Sequence, residues 1–136
     1  MIPQTPPVPR GRRVRLEPLT REHIPDLVSI GLDPDFWPWQ RTFVNTETKY
    51  LMLRYAFDEM QCVRVELKTD RLNERSRNAI LRIGAVEEGI LRSHFITASG
   101  RLRDTVYFSI LASEWPDVRR RLEAKLDDLV AADGAS

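Results

Sequence analysis

A chain of 136 residues, 42% of them hydrophobic, has the length of one domain and enough apolar side chains for a core. Its 21 Lys and Arg balance 20 Asp and Glu, a net charge of +1 that argues against a polyanion binder or an acidic tail. The lone cysteine, Cys62, excludes an internal disulfide framework and a multi-cysteine zinc site and suits a reducing cytoplasm. No apolar run is long enough to span a membrane, and the opening "MIPQTPPVPRGRR" has no signal-peptide core.

Four prolines in the first ten residues predict an extended, flexible arm over 1–12, ahead of a single domain over 13–132. "RRVRLEPL" alternates, with Val14 and Leu16 facing one way and Arg13, Arg15 and Glu17 the other, and predicts a strand over 13–17. Thr20 can cap a helix in which Ile24, Leu27, Val28 and Gly31 share a face until "GLDPD" stops it. After a Trp37-Pro38-Trp39 turn, Asn45 or Thr46 can cap a helix running to about Met60. Tyr50, Leu51, Leu53, Ala56, Phe57 and Met60 make that helix apolar around most of its circumference, so it is expected to pack on several sides.

"CVRVELKTD" alternates cleanly and predicts a strand that buries Val63, Val65 and Leu67. It is expected beside the first arm of the following hairpin or beside the 13–17 strand. Asn73 caps the next helix, with Ala79, Ile80 and Ile83 inward and Gly84 as a left-handed C-terminal cap. Residues 85–111 read as a long hairpin turning at Ala98-Ser99-Gly100. Its second arm sets Val106, Phe108 and Ile110 against Thr105, Tyr107, Ser109 and Leu111. In the closing helix, Trp115, Val118, Leu122, Leu126 and Leu129 form one stripe.

"QRTFVNTETKYLMLRYAF", "VELKTDRLNERSRNAILRIGAVEEGILR" and "GRLRDTVYFSILASEW" resemble the C-terminal half of the GNAT acyltransferases, nearest the RimJ/RimL type that acetylates protein N-termini or small amines. The resemblance runs from residue 40 to about 126, and "VRLEPLTREHIPDLVSI" is similar to the family's first strand and helix. It implies an α+β fold, mostly antiparallel sheet with packed helices and a C-terminal hairpin. In the family an additional helix and three strands lie between the first helix and the loop that holds the acyl-coenzyme A pyrophosphate. Here Trp39 runs directly into Gln40, so the chain resembles a member shortened at that seam.

The resemblance implies acetyl transfer from acetyl-coenzyme A to a primary amine, with Gln40, Arg41, Thr42, Phe43, Val44, Asn45 and Thr46 as the pyrophosphate loop. The physics of that loop is independent of family, because the first turn of a helix has unpaired N–H groups and a partial positive charge. Bulky Phe43 and Val44 stand where the family commonly has glycines. Asn73 is placed by the resemblance beside the pantetheine arm. Many members use a Tyr to protonate the departing thiolate where this chain has Ile80, so Ser76 is the replacement acid, its hydroxyl able to donate at short range. The strand that supplies the family's oxyanion N–H is among the missing ones, which leaves His94 or Glu66 as candidate bases. His23 reads as helix surface. Direct attack of the amine needs no metal and no acyl-enzyme, and Cys62 has no His adjacent in sequence to activate it.

Two basic clusters, "RGRRVR" from residue 10 and Arg119 to Arg121, could contact RNA phosphates, but Asp117, Glu123, Asp127 and Asp128 surround the second and solvated faces are the favoured reading, with an RNA-binding domain carried by the N-terminal arginines as the weaker one. A rival reading from another class is a non-catalytic remnant, a coenzyme A-binding or oligomerising module that covers an exposed strand edge with a second copy.

Overall fold

The computed structural model describes residues 8–24 and 43–134. Among the described residues, three α-helices and an antiparallel three-stranded sheet follow one another as α1 (Phe43–Arg54), β1 (Arg64–Asp70), α2 (Glu74–Arg82), β2 (Val86–Ile96), β3 (Leu102–Leu111) and α3 (Trp115–Gly134). This is the expected mixed α and β architecture. The residues fall into two compact units, one within 1–55 and 122–136 and the other over 56–121.

In the 56–121 unit the strand order is β1-β3-β2. β3 occupies the centre because it is the most apolar strand: Val106, Phe108 and Ile110 are wholly buried on one face. The expectation for β1 is corrected by this order. Its neighbour is the second arm of the hairpin, with Leu67 opposite Phe108, and not the first arm or residues 13–17. Val65 and Leu67 are half-buried and Thr69 continues their face, but Val63 precedes the strand and is 80% exposed, contrary to its predicted burial. The hairpin turns where predicted, and Gly84 and Gly100 both take positive φ, +97° and +83°, where side-chain-bearing residues are strained.

Asn73 caps α2 as predicted, its Oδ1 accepting the Ser76 N–H at 3.0 Å. Ile80 and Ile83 are buried. Trp115 stacks on Phe57 with centroids 5.3 Å apart and donates its indole N–H to Asp58 at 2.7 Å. The predicted stripe of α3 is buried at Trp115, Val118, Leu122 and Leu126.

The helix predicted to reach Met60 is α-helical only to Arg54; a π-helical turn over Tyr55–Glu59 follows, and Met60 is 45% exposed. Asn45 and Thr46 lie inside α1 rather than capping it. The expected strand at 13–17 is absent among the described residues, where an isolated bridge joins Arg10 and Arg15. Its backbone donors go elsewhere: Gly11 N–H bonds Val14 O at 2.7 Å and Leu16 N–H bonds Pro9 O at 2.9 Å, which closes a turn in place of a ladder. Of the Thr20-capped helix, a 3-10 turn over Arg21–His23 is described; the rest, like the Trp39–Gln40 seam and the Trp37-Pro38-Trp39 turn, lies outside the described residues.

Candidate functional site

Gln40, Arg41 and Thr42 lie outside the described residues. The other four residues of the predicted pyrophosphate loop, Phe43, Val44, Asn45 and Thr46, open α1; Phe43 and Thr46 are buried, while Val44 is 45% exposed. The N–H groups of a first helical turn have no acceptor within the helix, so this end carries donors and partial positive charge. The Arg13 guanidinium lies over the Phe43 ring at 5.0 Å and pairs with Asp133.

A residue that periodicity had passed over anchors this end of the helix. Glu47 is 2% exposed, and its carboxylate accepts the N–H groups of Arg12 at 2.5 Å and Arg13 at 2.9 Å. A Cβ on Gly11 would overlap the Glu47 carboxyl group, which would have to shift away from the N–H groups it accepts. Beside Glu47 lies a cavity of about 350 Å³, lined also by Tyr50, Arg54, Glu123 and Asp127. Tyr50 donates to Glu123 at 2.8 Å, and Arg12 pairs with Asp127 at 2.7 Å.

In the 56–121 unit, Asn73 and Ser76 adjoin at the start of α2, and the Ser76 hydroxyl has no hydrogen-bond partner among the described residues. His94 sits on β2 at a register shift between Leu91 and Phe95, beside Ser93 with its positive φ of 49°. Asp104 creates this irregularity by accepting the Ser93 N–H at 2.8 Å. His94 Nδ1 then lies 3.0 Å from Thr105 Oγ1, and its ring packs on Phe95 at 4.1 Å. One ring nitrogen is thereby engaged by Thr105. Glu66, the other candidate base, is exposed and paired with Arg64 at 3.1 Å. His23 Nδ1 accepts from the Thr20 N–H at 3.0 Å, as befits a surface turn, and Cys62 is half-buried. The basic clusters are paired, Arg15 with Glu17, Arg119 with Asp58 and Arg120 with Asp117.

Three carboxylates around the sheet are held below their ordinary range. The Ser93 N–H, then Arg71, depress Asp104; the Leu72 N–H, then Arg101, depress Asp70; the Ser109 hydroxyl, then Arg64, depress Glu88. Because the folded pKa values lie below the unfolded ones, the unfolded chain binds more protons in acid. Their contribution is complete above the ordinary values of 3.8 for Asp and 4.5 for Glu and is lost as pH falls through the folded values. The urea midpoint is expected to fall between about pH 5 and pH 3, and Asp104→Asn to flatten that fall. Equal pH dependence in wild type and variant would contradict this role for Asp104.

No family model matches the chain. A solved protein of T. thermophilus, described as an acetyltransferase, superposes with a TM-score of 0.79 at 31% identity, over 89% of this chain and 97% of that one. The chain belongs to the GNAT acetyltransferase family. The GNAT sequence is also 39% identical over 64 residues to YdaF of Bacillus subtilis (strain 168), which carries the name of a ribosomal N-acetyltransferase. That match takes in 47% of this chain and 34% of YdaF, so the chain spans about a third of that curated relative. Mycobacterium smegmatis RimJ, solved with CoA-disulfide, superposes with a TM-score of 0.55 at 28% identity over 61% of this chain and 40% of its own. Partial coverage of YdaF and RimJ agrees with a shortened member of the family. Among the described residues no helix is long and apolar enough to cross a membrane.

Proposed function

We propose that this chain transfers an acetyl group from acetyl-coenzyme A to a primary amine, a protein N-terminus or a small amine, in the cytoplasm. The observation that carries the reading is the match to an acetyltransferase structure over 89% of the chain. The nature of the thioester is supported by a relative, RimJ, solved with CoA-disulfide. The first turn of α1 and Arg41 are assigned the pyrophosphate, because backbone donors and a guanidinium are the groups that bind a phosphate best.

Asn73 is assigned to the pantetheine. In the reaction the amine nitrogen attacks the thioester carbonyl, the new C–N bond forms, and the C–S bond breaks as the tetrahedral intermediate collapses. His94 Nε2 takes the proton lost by the amine, the Ser76 hydroxyl protonates the leaving thiolate, and exchange with solvent then returns a proton to the serine and removes one from the imidazolium. The second reading, a non-catalytic coenzyme A-binding or self-associating module, is favoured by the outer edge of β1, with which no described strand pairs.

Calorimetry with coenzyme A and acetyl-coenzyme A, followed by an acetylation assay, separates the two. Arg41→Ala is expected to weaken binding by about 1–2 kcal/mol, the loss of one charge-assisted hydrogen bond. Ser76→Ala is expected to leave binding unchanged and slow turnover, since its proton is needed only as the thiolate departs. Coenzyme A binding without acetylation would favour the coenzyme A-binding module, and absence of both the self-associating one. Robust acetylation by both variants would overturn the residue assignments.

A further inference from the structure

We propose that Asp104 and Thr105 are positioning residues for His94: Asp104 fixes the bulge that brings the imidazole onto the face of Thr105, and the Thr105 hydroxyl holds the ring in its Nδ1–H form. Their role rests on the reading of His94 as the base for the acceptor amine. Between the pairs Leu91–Thr105 and Phe95–Arg103, the β2 residues Arg92, Ser93 and His94 stand opposite Asp104 alone. In a regular strand successive side chains point to opposite faces. Phe95 shares the face of Arg103, Thr105 and Tyr107, so a regular His94 would lie on the other one, with Val106 and Phe108. Its ring instead packs on Phe95 at 4.1 Å, with Tyr107 6.0 Å away, and its Nδ1 reaches Thr105 Oγ1 at 3.0 Å. The extra residues of the bulge thus set His94 and Phe95 on one face.

Asp104 holds that irregularity from two sides. Ser93 takes a φ of 49°, uncommon for a residue with a side chain, and its N–H, displaced from the ladder, bonds Asp104 Oδ1 at 2.8 Å. The other carboxylate oxygen accepts from the Arg71 guanidinium at 3.4 Å, and the Arg71 N–H bonds the Asp104 carbonyl at 2.9 Å. Asp104 is therefore tied to the end of β1 as well as to β2, and the bulge is fixed in place.

Thr105 is wholly buried on the central strand, and its β-branched side chain has few rotamers, so its hydroxyl is a fixed partner. Neutral imidazole carries its proton on one nitrogen, and the hydrogen bond made by one nitrogen decides the state of the other. With Nδ1–H donating to Thr105 Oγ1, Nε2 keeps its lone pair for the amine proton. After the transfer Nε2 carries that proton, the Nδ1–H bond to Thr105 is unchanged, and solvent removes the proton from Nε2. Neither Thr105 nor Asp104 gains or loses one. His23 is the opposite case, because its Nδ1 accepts the Thr20 N–H at 3.0 Å and its proton must sit on Nε2.

The test combines the imidazole nitrogen resonances of the full chain, which distinguish the two neutral forms, with acetylation kinetics. The chain has two histidines, and the wild type is expected to show one ring of each kind, His94 as Nδ1–H and His23 as Nε2–H. Thr105→Val keeps the shape and removes the hydroxyl. It is expected to convert His94 to the Nε2–H form that free histidine prefers, and to lower kcat about tenfold or more with KM for acetyl-coenzyme A kept. Thr105→Ser is expected to restore both. Asp104→Ala is expected to lower kcat in the same way, and Asp104→Asn, whose Oδ1 still accepts the Ser93 N–H, to retain most of it. An Nε2–H ring at His94 in an active wild type, a Thr105→Val chain as fast as wild type, or a Thr105→Ser chain as slow as Thr105→Val would each overturn the role of Thr105. Undiminished turnover in Asp104→Ala would overturn that of Asp104. A wild type that acetylates neither N-terminal peptides nor small amines would overturn instead the function on which both roles rest, and the ring resonances would still decide whether Thr105 holds Nδ1.

Discussion

Phe108→Ala is expected to cost about 3–5 kcal/mol, the range for an aromatic ring truncated in a packed core. Phe108 is wholly buried at the middle of β3, with Leu67 of β1 opposite on one side and Glu87 of β2 on the other. Truncation removes the transfer free energy of the ring and leaves a cavity that three hydrogen-bonded strands cannot collapse to fill. Against a typical total of about 5–15 kcal/mol, the loss leaves the sheet close to its threshold. A urea titration reads it directly: the midpoint falls while the slope is kept. A loss below about 1 kcal/mol would mean that Phe108 does not hold the core together.

Glu47→Ala has the next largest expected effect, about 2–4 kcal/mol, and it acts on the end of α1 assigned to the pyrophosphate. Removing the carboxylate leaves the N–H groups of Arg12 and Arg13 without their acceptor. Relief of the desolvation of a buried charge offsets part of that loss. Gly11 supplies the control. Gly11→Ala is expected to destabilise the wild type, since its Cβ would lie 2.4 Å from the Glu47 side chain, and to be nearly neutral once Glu47 is Ala. Strictly additive effects in that double-mutant cycle would contradict the contact.

What could be read from the sequence was set by local chemistry. The Asn73 cap, Gly84, the turn at Gly100 and the stripe of α3 each depend on residues within one or two turns of chain. They stand where capping and periodicity place them. The neighbour of β1 was not legible, because alternation names the buried face of a strand but not its partner; the partner is decided by which strand has most to bury. Residues 13–17 alternate equally well, yet their neighbours' N–H groups are taken by a turn and by Glu47. Glu47 itself was missed because a carboxylate on a helix reads as surface, and its partners are backbone groups 34 and 35 residues away that carry no sequence signal. Asp104 is similar: it faces Ser93 across the hairpin, and its effect on His94 appears only once the register is known.

The central claim, that the first turn of α1 receives the pyrophosphate of acetyl-coenzyme A, is tested most directly by following backbone amide resonances during a titration. Saturable shifts are expected to concentrate at Phe43, Val44, Asn45 and Thr46, to be reproduced by coenzyme A and to be weakened by Arg41→Ala. Saturable binding that leaves these four amides unmoved would contradict it.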